Sequence, residues 1–117
     1  MLVDEIYLNI AQKIIDNIND EWNFAKITFE YLGSAAEYQG KYYKNTEQSY
    51  DFKVGYPIYK LFKELHTITT EDSENKWNRA LFSLEPTGKF NSEFEWDQDL
   101  SDEINIEIIP GQVQVLA

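Results

Sequence analysis

Few residues in this chain are of a type that does chemistry, and their spacing does not gather them. The one histidine, His66, is the only imidazole available as a general base near neutral pH. It stands beside the apolar stripe Ile58, Leu61, Phe62 and Leu65. A lone histidine there reads as a packed or exposed helix residue, not as half of a base–acid pair. The chain has no cysteine nucleophile, no GxxxxGK[ST] phosphate loop and no HExxH. Glu93 and Glu95 are the residue types of a two-carboxylate hydrolase. Two apart on a strand, however, they share one wet face, and nothing in the sequence suggests a pocket that would give them different roles. Asp97, Asp99 and Ser101 match the first spacings of a calcium loop, but Asp102 replaces its glycine and Ile108 its bidentate glutamate. The expectation is a protein with no catalytic residue, no cofactor and no metal: not an enzyme.

The elements around these residues are legible from period. Val3, Ile6, Tyr7, Ile10, Ile14 and Ile18 recur at steps of three and four, which predicts an amphipathic helix over 2–18. From Trp22 the period becomes two: Ala25, Ile27, Phe29 and Tyr31 share one face, and Lys26, Thr28 and Glu30 the other. Leu32-Gly33-Ser34 turns the chain into a second strand, with Ala36, Tyr38, Gly40 and Tyr42 on one side and Gly40 marking a bulge or a close approach. Tyr50–Val54 reads as a short third strand. Gly55-Tyr56-Pro57 opens a second helix over 56–68, with Pro57 at its first position. A polar loop, Thr69–Lys76, leads to a strand over Trp77–Leu84. Glu85-Pro86-Thr87-Gly88 turns it into KFNSEFEWD, Lys89–Asp97. In that stretch Phe90, Phe94 and Trp96 face the core, and Asn91, Glu93, Glu95 and Asp97 face away. Asp97–Glu103 reads as an acidic linker, and residues 101–117 as an extra hairpin, an edge strand or a tail ordered by a partner. The sum is an α+β domain: one antiparallel sheet, both helices on one face, and the acidic positions on the uncovered face.

With 117 residues the chain suits a single domain, 1–117. The absence of cysteine fits a reducing compartment. The acidic start MLVDEIYLNI does not read as a secretory signal. No run approaches the roughly 20 apolar residues of a membrane span. The expected location is the cytoplasm. Net charge is −11, which disfavours nucleic acid and anionic lipid as partners and favours a basic one. The charge is uneven. From Glu85 onward eight acids face one base, Lys89, whereas the first 84 residues hold 13 acids and nine bases. Such asymmetry points to a partner surface. The expected partner-binding residues are Glu93, Glu95, Asp97, Asp99, Asp102 and Glu103.

The order of motifs resembles the YezG-like immunity proteins, antitoxins that partner LXG-type polymorphic toxins of Gram-positive bacteria. The matching residues are Ile6-Tyr7, Ile10-Ala11 and Glu21-Trp22 around the first helix. Later come Trp77 and Phe82, Gly88, then Phe90, Phe94, Trp96 and Gln98-Asp99, where the acid falls one place later than in that family's pattern. The likeness covers roughly residues 5–32 and 55–100. The ending INIEIIPGQVQVLA reads as strand where that family often continues into helix. The resemblance implies a stoichiometric inhibitor with no reaction of its own, bound to a basic nuclease toxin whose polyanion site it fills. The reading of another class is an acidic adaptor or regulatory interaction module with no toxin partner.

Overall fold

A computed structural model describes residues 2–32, 35–45, 47–71 and 75–102. Two helices and five strands follow in the order α1 (Val3–Asn17), β1 (Phe24–Tyr31), β2 (Ala36–Tyr43), β3 (Ser49–Phe52), α2 (Gly55–Thr69), β4 (Arg79–Leu84) and β5 (Phe90–Glu95). The strands form one sheet in the order β3-β2-β1-β4-β5, and every neighbouring pair is antiparallel. The expected α+β architecture is therefore present. Gly33, Ser34 and the tail from Glu103 onward lie outside the described residues.

Register follows from burial. Ala25, Ile27 and Phe29 on β1 and Ala80, Phe82 and Leu84 on β4 are buried on one side of the sheet. Ile6, Ile10 and Ile14 from α1 and Ile58, Leu61, Phe62 and Leu65 from α2 close the core over them. Phe62 stacks on Phe29 with ring centroids 5.0 Å apart and meets Phe82 edge-on at 6.4 Å. Each fully buried side chain of this size contributes roughly 1.5–3 kcal/mol. A slip of one residue would move a whole strand's apolar set into water, so the register is strongly specified. Phe90 and Phe94 do face the helix side, where Phe90 stacks on Phe82 and Phe94 packs at a tilt against Trp77.

The helix ends are tied to their neighbours. The Asn17 amide donates to the carbonyls of Lys53 and Val54, joining the end of α1 to the start of α2. α2 begins at Gly55, so Pro57 sits deeper in the first turn than expected, still where a missing N–H costs no helical bond. The turn between β4 and β5 is closed by Gly88 N–H to Glu85 C=O, with Gly88 at φ +93°, a conformation glycine adopts without strain.

Two differences from the sequence reading concern β5. It ends at Glu95, so Trp96 does not continue the row of Phe90 and Phe94. Its indole instead donates to Gln98, and Lys76 lies over its ring. The segment read as an acidic linker is helical over 98–102. Both follow from a turn that Asn78 imposes at Asp97.

Gly40 marks a close approach. It pairs with Phe52 on β3, and a Cβ at Gly40 would lie 2.6 Å from the Phe52 ring. The ring covers the glycine as aromatic side chains do when they shield a bare backbone. Gly40→Ala is expected to destabilise by on the order of 1–3 kcal/mol in urea unfolding, through overpacking. The double variant with Phe52→Leu should recover most of that loss. Additive effects of the two changes would show that the contact is not the cause.

Candidate functional site

The sheet face turned away from the helices carries no described element, and its cross-strand rows can be read from the register. One row runs Glu37–Glu30–Arg79–Glu95 across β2, β1, β4 and β5. The next runs Gln39–Thr28–Leu81–Glu93. A third runs Asp51–Lys41–Lys26–Ser83–Asn91 from edge to edge. The face is therefore graded: four glutamates around one arginine at one end, two lysines at the other. Two shallow depressions of about 610 and 830 Å³ lie side by side on it and share Thr28 and Glu30.

Arg79, the only arginine of the chain, organises the acidic end. Its Nη1 donates to Glu30 and its Nε to Asp97 Oδ2 at 2.9 Å. Glu95 stands opposite it on β5. The Asp97 carboxylate also accepts the Leu100 N–H at 3.2 Å, capping the helical turn at 98–102. That bond first, and Arg79 after it, hold Asp97 below the usual carboxylate range. The carboxylates raise the Arg79 pKa in return, with Asp97 the larger influence.

Asn78 fixes where the turn falls. It is 3% exposed, its amide donates to the Asp97 carbonyl at 2.8 Å, and its side-chain oxygen accepts the Asp97 N–H at 2.7 Å. One buried side chain thus satisfies both main-chain groups of the residue that leaves the sheet.

The six acids expected at a partner surface are not alike in this setting. Glu93 and Glu95 are exposed on the open face. Asp97 is engaged by Arg79 and the turn. Asp99 is exposed on the helical turn, and Asp102 accepts the Gln98 amide. Glu103 lies outside the described residues. The sheet adds Glu30 and Glu37, far away in sequence. Arg79 and Asn78 were also missed, although a lone arginine in a strand facing an acidic one is a readable signal.

His66 sits half-buried between Tyr31, stacked at 4.0 Å, and the edge of Trp77 at 4.7 Å. Its Nε2–H donates to the Trp77 carbonyl at 2.9 Å. Burial lowers its pKa, and this hydrogen bond opposes the shift. No carboxylate is paired with it in these contacts. Among the described residues no group of three or more His, Asp or Glu is placed to hold a metal ion. No described helix is long and apolar enough to cross a membrane. Comparison with known protein families and with curated proteins gives no match.

Two outcomes follow. Asn78→Ala should cost about 1–3 kcal/mol, because it takes the partner from the part-buried Asp97 N–H and one of two donors from the Asp97 carbonyl, which keeps the Ser101 N–H; urea unfolding with amide exchange at Asp97 measures both the loss and its location. For His66 the folded state favours the neutral ring. Its contribution is present above the unfolded pKa of about 6.5 and declines as pH falls through the lower folded value. His66→Gln should flatten that part of the stability–pH curve. An NMR titration midpoint above the ordinary histidine value would contradict this account.

Proposed function

We propose that this protein is an immunity protein that binds a cognate toxin, a basic nuclease domain, and inhibits it stoichiometrically. One observation carries the reading: a wide sheet face left uncovered by the described elements, with Glu30, Glu37, Glu93 and Glu95 gathered at one end, in a chain of net charge −11. A nuclease site holds a polyanion with lysine and arginine, and a rigid carboxylate array answers the same field. Such complementarity speeds encounter and selects the partner. The resemblance to YezG-like proteins supports the same reading. An acidic adaptor would use the same face, so the partner decides between them. The immunity reading expects a neighbouring gene for a large protein with a variable C-terminal toxin domain.

The direct test is binding of that toxin domain, followed by removal of the exposed carboxylates Glu37, Glu93 and Glu95 as glutamines. Asp97 is left intact because it holds a turn. The triple variant should associate at least about tenfold more slowly at low salt, with a weaker salt dependence. Its unfolding midpoint should be unchanged or slightly higher, since neighbouring like charges have been removed. Unaltered kinetics and unaltered protection from the toxin would place the interface elsewhere.

A further inference from the structure

β5 is the longer of the two sheet edges. No described strand pairs with its outer side, and β3 at the other edge spans only Ser49–Phe52. The Glu85 N–H bond to the Lys89 carbonyl, 2.9 Å, sets the phase of the β4–β5 ladder. Hydrogen-bonded and non-bonded pairs alternate along an antiparallel ladder. Asn91, Glu93 and Glu95 therefore turn their main-chain groups to β4, and Phe90, Ser92 and Phe94 turn theirs outward.

The side chains of those three residues lie on the helix side of the sheet. Phe90 and Phe94 remain 38% and 40% exposed there, although their rings pack at a tilt against Tyr7 and Trp77. Between them the Ser92 hydroxyl is buried without a hydrogen-bond partner among the described residues. On the other face Asn91, Glu93 and Glu95 are exposed. Among the described residues the edge thus presents peptide groups with no strand partner, an apolar shelf on one side and carboxylates on the other. A second copy laid antiparallel on it would set these glutamates near their own kind, which is unfavourable. Residues 104–109 of the same chain would bring Glu107 beside them. A segment with basic side chains meets no such opposition.

We propose that β5 is a strand-addition site for an extended segment of a partner protein that alternates apolar and basic side chains. The apolar residues cover Phe90 and Phe94, the lysines or arginines meet Glu93 and Glu95, and the peptide groups pair with Phe90, Ser92 and Phe94. Main-chain bonds supply affinity in this mode of recognition, and alternate side chains supply specificity. The inference rests on the reading of the protein as an inhibitor of a basic toxin and says how that toxin is gripped.

The test uses the full chain, labelled with ¹⁵N, and a capped peptide of alternating valine and lysine, with a valine–glutamate peptide as control. The lysine peptide should slow amide exchange at Phe90, Ser92 and Phe94 at least about tenfold, and the glutamate peptide should not. Ser92→Pro removes one outward N–H and leaves the β4 ladder its partners, a placement proline tolerates at an edge. It should abolish the protection while exchange at Leu81 and Ser83 is unchanged. Should that variant fail to fold, the pair Glu93→Lys and Glu95→Lys should reverse the peptide preference. Protection of the three amides in the free protein at low concentration would mean that the chain's own tail fills the edge, and would overturn the proposal. Protection appearing only with self-association would assign the edge to a second copy and overturn it equally. Peptide binding without edge protection would overturn it as well. A wild-type chain that fails to bind the toxin counts against the inhibitor reading, whereas the peptide arm decides strand addition by itself.

Discussion

Ile27 and Phe29 on β1 and Phe82 on β4 lie almost wholly out of water beneath two helices, and this burial dictates what the rest of the sheet can do. Side chains alternate along a strand, so each residue committed to the core sends its neighbours to the opposite face. Thr28, Glu30 and Leu81 are outward because Ile27, Phe29 and Phe82 are inward. With both helices on one side, the outward residues form a continuous surface across the strands. The composition of that surface is free of packing demands, which is where selection for binding can act.

On that surface the single arginine changes the meaning of the acids. Arg79 takes Glu30 and Asp97 for itself, and its salt bridges are partly exposed and hence modest in energy. Their effect is positional. They hold the chain where it leaves β5 and keep Asp97 out of the set of free carboxylates. Glu37, Glu93 and Glu95, without an ion pair to a basic residue among the described contacts, are the acids left to meet a partner. A count of negative charge in the sequence does not separate these two kinds, because the pairing is made across strands distant in the chain.

The same division explains what could be read in advance. Period alone located both helices and the hairpin β4–β5, because each buries a face and the apolar spacing records it. It also put Phe90 and Phe94 on the correct side. Trp96 broke the rule because its position is decided by Asn78, a polar residue one strand away whose bonds to Asp97 end the strand. Alternation reports solvent and core; it carries no record of a side chain that captures a distant main chain. The gathering of Glu30 and Glu37 with Glu93 and Glu95 was hidden for a similar reason, since strand order is a property of tertiary pairing. His66 read as a packed or an exposed helix residue from its place beside the α2 stripe, and its contacts with Tyr31 and Trp77 make it a packed one.

The strand order also bears on how the chain assembles. β1 with β2, and β4 with β5, are local hairpins, and each follows a helix in the sequence: α1 before the first, α2 before the second. The pairing of β1 with β4 joins an αβββ half to an αββ half that lies far from it along the chain. Closing a long loop is entropically unfavourable before its contacts form, so this central seam is the slow event expected in folding, after the local hairpins. Until it closes, β1 and β4 each keep one main-chain edge unpaired. A half from one molecule can then meet the other half from a second, which makes exchange of halves the characteristic misassembly of this topology at high concentration.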